Sequence, residues 1–181
     1  MPSNRRRRML PSFARRWVTF RRSPSSTPPS AIEPAQHDWL DAHNDTSHSL
    51  VASNVPKHPQ SIDVRVMTLD EHLGELQLLD LIKIDAQGAD LRVLRGAQRL
   101  IRRFQPAITI EFWPSGLRNM GDEPLDLIAE LKGSGNDVYR LSAEGLLESE
   151  EHVTKFLARA GRWSSINLAA EPREMKRARG Q

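Results

Sequence analysis

Asp85-Ala86-Gln87-Gly88 interrupts an apolar run that begins at Leu78, and Glu111 stands near the end of a second run beginning at Ile108. Two carboxyl groups with a primary amide between them can orient a hydroxyl group and take up its proton, which is general-base chemistry. Blander roles are also open to these residues: Asp85 can simply cap the helix that follows, and Gly88 can simply make a tight turn. Lys83 falls on the same strand face as Asp85. It is either the ion-pair partner of Asp85 or a side chain whose stem lies along apolar surface.

These residues need elements to hold them. Residues 79–85 read as a nearly all-apolar strand, the form expected when both sheet faces are covered. After Gly88 the rhythm becomes helical: Leu91, Val93, Leu94, Ala97, Leu100, Ile101 and Phe104 recur at helical spacing while Arg92, Arg95, Arg99 and Arg102 take the wet side. Pro106 stops that helix, and Ile108 to Trp113 returns to period two. This predicts one βαβ unit, whose right-handed crossover sets two parallel strands side by side and brings Asp85 and Glu111 into one crevice, with Gln87 and Gly88 between them.

Ahead of this unit, Ile62-Asp63-Val64-Arg65-Val66 alternates as a strand, and Thr68-Leu69-Asp70-Glu71 has the spacing of a capping box, with Leu69, Leu73 and Leu76 facing inward. Behind it come a helix from Pro124 to Gly133 with Leu125, Ile128 and Leu131 inward, a strand at 138–141, a helix marked by Val153, Phe156, Leu157 and Ala160, and a strand at 164–169. The alternation predicts an α/β fold with a mostly parallel sheet.

The chain has 181 residues, enough for one domain, with no run long enough to span a membrane and no cysteine. Disulfides, thiolate metal sites and cysteine nucleophiles are thereby excluded, and a reducing cytoplasm is the expected setting. The net charge of +3 conceals an asymmetry. Eight arginines and no acid lie in residues 1–32, which leaves 18 basic against 23 acidic residues beyond them, or −5. Residues 1–45 are expected to be a disordered basic extension, and 171–181 a disordered basic tail, around a domain at 46–170. The extension could contact nucleic acid or an anionic membrane, serve in targeting, or simply be solvated. His37, His43, His48 and His58, with Asp38, Asp41 and Asp45, match no compact ligand spacing, and no metal site is expected there.

Val66 to Leu73, Asp80 to Ala97 and Pro106 to Trp113 resemble the C-terminal half of the FkbM family of methyltransferases, whose text runs roughly V-R-T-L-D-D-L-L, D-L-L-K-I-D-V-E-G-A-E-L-E-V-L-R-G-A and P-x-I-x-x-E. Ser165 to Ala169 resembles the closing strand of the family, and the likeness covers about residues 61–170. The resemblance implies a class I, Rossmann-like sheet using S-adenosylmethionine to methylate a hydroxyl on a small molecule or sugar. Asp85 and Glu111 would be the catalytic pair, and Asp85, Gln87 and Gly88 the contacts to the donor.

Two departures stand out. Gln87 replaces the usual Glu, and the chain has no glycine before Gly74, whereas such enzymes carry a glycine-rich donor loop after their first strand. The first three strands are therefore expected to be missing. That would expose the 79–85 strand as an edge open to self-association and leave a truncated enzyme, a non-catalytic remnant or a basic adaptor.

Overall fold

The change of rhythm at Gly88 is a change from strand to helix in the computed structural model, which describes residues 17–20, 36–41, 49–54 and 60–173. The elements run β1 (Trp17–Phe20), β2 (Gln36–Asp41), a single 3-10 turn (Ala52–Asn54), β3 (Gln60–Arg65), α1 (Leu69–His72) and β4 (Leu81–Ile84). There follow α2 (Asp90–Arg95), α3 (Gln98–Phe104), β5 (Ala107–Phe112), α4 (Pro114–Asn119) and α5 (Pro124–Gly133). The chain closes with β6 (Asn136–Leu141), β7 (Leu147–Glu148), α6 (Glu150–Leu157) and β8 (Ile166–Pro172).

The fold is α/β. Six strands lie in the order β1-β4-β5-β8-β6-β7, and β2 pairs with β3 in a separate antiparallel ribbon. The expected βαβ unit is present: β4 and β5 are parallel, with Ile82 opposite Ile108 and Ile84 opposite Ile110. All four of these isoleucines are buried, and with Phe112 and Leu168 they form the sheet's contribution to the core. Leu91 and Leu94 of α2, Leu100 and Ile101 of α3, and Leu127 and Leu131 of α5 pack against it.

Several expectations need correction. The sheet keeps β1, β4, β5 and β6 running in one direction but is mixed, because β8 runs antiparallel to both of its neighbours, β5 and β6, and β7 runs antiparallel to β6. Period-two patterning carries no direction, so the alternating order alone could not reveal this reversal. The β4 strand is not a free edge, since β1 pairs with it in parallel from Trp17 opposite Leu81 to Phe20 opposite Ile84. Strands β1 and β2 lie inside the stretch expected to lack regular structure, and the rest of residues 1–45 is outside the described residues. So are His43, His48, His58 and residues 174–181.

The helix expected after Gly88 is two helices. Gly96 and Ala97 break it, because the Gly96 carbonyl turns away to accept the amide of Asp70 at 2.9 Å. In return the Asp70 carboxylate accepts the amides of Arg99 and Leu100 at 2.8 and 2.9 Å, capping the start of α3 from another helix. The capping box at Thr68 forms as the spacing required, with Thr68 and Glu71 each bonding the other's amide. In α5 the inward face is Pro124, Leu127, Ile128 and Leu131, and Leu125 is 62% exposed. Position 125 lies about 100° around the helix from Pro124, off the stripe that the other four define.

Candidate functional site

The βαβ unit delivers Asp85 and Glu111 to adjacent strand ends. Lys83 is in register with Thr109, so the face of β4 that continues to Asp85 is the face of β5 that carries Glu111. Gln87 joins the two acids: its amide nitrogen donates to Asp85 Oδ1 and to Glu111 Oε2, each at 3.0 Å. Glu111 Oε1 accepts the Ser165 hydroxyl at 2.8 Å, and Lys83 Nζ reaches Asp85 Oδ2 at 3.3 Å. The ion-pair reading of Lys83 is therefore the one realised.

The environments push the two carboxyl groups apart. Burial raises Glu111 above the ordinary carboxylate range, and the nearby charge of Asp85 adds to it, outweighing the bonds from Ser165 and Gln87. Burial acts on Asp85 in the same direction, but the Gln87 amide and the Lys83 charge together overcome it and leave Asp85 below its ordinary value. Asp85 is thus held ionised while Glu111 keeps a proton more readily, a division of labour typical of acid and base partners.

The turn between them is held from beneath. Gln87 has a backbone φ of 50° and Gly88 one of 99°. Asp90 is buried and accepts the amides of Ala86 and Gly88, both at 3.0 Å, on its two oxygens. Burial lifts its carboxyl to about 6. From the other side the Gln87 carbonyl accepts the Ser49 hydroxyl and the Asn54 side-chain amide, both at 3.0 Å. A Cβ on Gly88 would lie 2.5 Å from Asn54 Nδ2 and 2.6 Å from the Gly116 carbonyl. The missing side chain of Gly88 therefore makes room for protein, and its amide donates to Asp90.

A further wall comes from the approach to β8. Trp113 donates its indole N–H to the Arg162 carbonyl at 2.7 Å and stacks on Trp163, with ring centroids 5.5 Å apart. Gly116 lies under the Trp113 ring, where a Cβ would come within 2.3 Å of it. With the Ser165 bond to Glu111, these contacts fasten residues 162–165 to the acid pair.

The structure brings Asp85, Gln87 and Glu111 together as the sequence pattern predicts, and adds Asp90, Asn54, Ser49 and the hydroxyl of Ser165 as supports that the pattern did not predict. Asp90 had a usable signal, an acid in the first turn of a helix. Asn54 and Ser49 had none in spacing, since they reach Gln87 across 33 and 38 residues. Among the described residues, no group of three or more His, Cys, Asp and Glu is placed to hold a metal ion, and no helix is long and apolar enough to cross a membrane.

Residues 25–161 match the family model of the methyltransferase FkbM domain. No curated protein and no solved structure matches the chain.

Proposed function

The chain belongs to the FkbM methyltransferase domain family, and from that premise we propose that Asp85 and Glu111 prepare a hydroxyl group, on a small molecule or sugar, for methylation by S-adenosylmethionine. The observation that carries the reading is the acid pair itself: two carboxyl groups at neighbouring strand ends, joined through one amide at 3.0 Å on each side and driven apart in proton affinity. In open α/β sheets this end of the strands is where ligands bind. The alternation of strands and helices fits a class I, Rossmann-like reading of the sheet, and the absence of cysteine favours a reducing cytoplasm as the setting.

The donor would supply an electrophilic methyl group on a sulfonium, the S–CH3 bond breaking to leave a neutral thioether as the O–CH3 bond forms. Asp85, ionised at neutral pH, accepts the hydrogen bond of the acceptor hydroxyl and so aims a lone pair away from itself. A carboxylate of lowered pKa is a weak base, yet the hydroxyl proton becomes strongly acidic as its oxygen gives up electron density, so Asp85 takes it late in the reaction. Glu111, the more readily protonated partner, donates to a second acceptor oxygen or shares its proton with Asp85. Gln87 keeps the two groups at a set separation. Most of the acceleration comes from this orientation.

The fit to the donor is partial. Backbone amides approach such a ligand closely where glycines clear the way. The Gly88 amide is already used by Asp90. The residues after β1 are Arg21-Arg22-Ser23-Pro24, and no glycine precedes Gly74. The residues present therefore suit the acceptor and the reacting end of the donor, through Asp85 and Gln87, without completing a pocket for the rest.

Transfer of a labelled methyl group to a panel of monosaccharide and polyol acceptors, with the donor supplied in large excess to offset weak binding, tests the reading. Asp85→Ala is expected to lower transfer by about a hundredfold or more, and Glu111→Gln by less. Undiminished transfer in Asp85→Ala, or transfer to amines with none to hydroxyls, would overturn it.

A further inference from the structure

Gln87 joins the acid pair from a backbone conformation that non-glycine residues seldom adopt, with φ at 50°. Such a conformation is strained and persists where the surroundings impose it. What imposes it here is visible at the Gln87 carbonyl, which accepts Asn54 Nδ2 and Ser49 Oγ at 3.0 Å each. Asn54 is 2% exposed, and every polar atom of its side chain is engaged. Its nitrogen also donates to the Gly116 carbonyl at 3.2 Å, and its oxygen accepts the Asn119 amide at 2.6 Å. The side chain sits in the notch that Gly88 leaves by having no Cβ.

We propose that Asn54, seconded by Ser49, is a positioning residue for the acid pair: it holds the left-handed turn at Gln87 so that the Gln87 amide reaches both Asp85 and Glu111. This rests on the reading of those two acids as the working groups. Asn54 and Ser49 bond the Gln87 carbonyl while the Gln87 side chain bonds the two acids, so loss of the carbonyl bonds frees the backbone angles that aim the amide. A fully satisfied buried amide is also stiff, because any rotation strands three groups at once. Through Gly116 and Asn119, the same residue ties the turn to α4, the helix that follows Trp113.

A purely structural role for Asn54, pinning α4 to the turn, predicts lost stability and nothing more. A positioning role predicts a change in how the acids titrate, since the Gln87 amide bond favours the charged form of both carboxyl groups. The test is a carbon-13 NMR titration of the Asp85 and Glu111 carboxyl carbons in the full chain. Compared with the parent are Asn54→Leu, which keeps much of the volume and removes the hydrogen bonds, Ser49→Ala, Gln87→Leu and, as a destabilised control, Leu131→Ala.

Asn54→Leu and Gln87→Leu are expected to raise both midpoints by about half a pH unit or more, Ser49→Ala to raise both by less, and Leu131→Ala to leave them in place. Midpoints unchanged in a folded Asn54→Leu while Gln87→Leu moves them would reduce Asn54 to a packing role and overturn the proposal. If Asn54→Leu does not fold, Ser49→Ala decides, since it removes one of the two bonds to the same carbonyl; no shift there overturns the proposal as well. The titration uses neither donor nor acceptor, so a failure of methyl transfer and a failure of this inference are read separately.

Discussion

Asp90 Oδ2 accepts the amide of Gly88 at 3.0 Å, so the residue that opens α2 also closes the turn that ends β4. The carboxylate is buried to make this contact, and burial is the dominant influence, raising it from an ordinary 3.8 to about 6 against the pull of the Ala86 and Gly88 amides. A folded-state value above the unfolded one means that the folded chain binds this proton more tightly. Asp90's contribution is then fully present below about pH 4, falls as pH rises, and is gone above about pH 6. The span is on the order of 3 kcal/mol. Urea unfolding at successive pH values should show the Asp90→Asn variant with a flatter stability profile between pH 4 and 6 than the parent. Parallel profiles would contradict the raised value. Asp85 titrates in both proteins and cancels in the comparison, whereas the Glu111 charge helps to raise Asp90 and is part of the difference between the two profiles.

Gly88 combines a φ of 99° with a Cβ direction filled by Asn54 and the Gly116 carbonyl. Gly88→Ala must accept strain in the backbone and a clash with main-chain atoms together. A loss of roughly 3 kcal/mol or more, up to failure to fold, is expected in denaturant melts. A near-neutral result would mean that the turn can open without penalty.

Helix α5 provides an internal contrast. Leu131 is fully buried in the core and Leu125 is 62% exposed. Leu131→Ala should cost about 2–5 kcal/mol by opening a cavity, whereas Leu125→Ala should stay within about 0.5 kcal/mol. Equal losses measured by chemical unfolding would show the helix to be rotated from the orientation described.

Asp70 caps α3 through the amides of Arg99 and Leu100. Asp70→Ala should therefore lose about 1–2 kcal/mol. The Asp70 ion pair with Arg99 spans 3.9 Å at an exposed arginine, so Arg99→Ala should change stability by less than about 1 kcal/mol. Thermal unfolding of the two variants separates the cap from the charge.

For S-adenosylmethionine, calorimetry on the chain is expected to find weak binding, because no glycine precedes Gly74 and the Gly88 amide is already bonded to Asp90. Micromolar binding would show that a different set of residues holds the donor.

Local pattern was enough for the βαβ unit. The all-apolar run at 79–85, the change to helical spacing at Leu91 and the return to alternation at Ile108 are properties of neighbouring residues, and the handedness of the crossover then places Asp85 beside Glu111. The capping box at Thr68 was legible for the same reason, since its partners lie three residues apart. The break at Gly96 was not, because it depends on a carbonyl finding the Asp70 amide in another helix.

What the tertiary structure decided are the relations that span the chain. Strand β8 enters antiparallel between β5 and β6, and β1 covers the side of β4 that the pattern left open. Ser165 reaches Glu111 across 54 residues, and Asn54 reaches Gln87 across 33. A hydrogen bond between distant segments leaves no periodic trace in either one, and strand alternation encodes which face is buried without encoding direction or neighbour. The sequence by itself therefore determined which acids meet, and folding in three dimensions determined how their proton affinities are set.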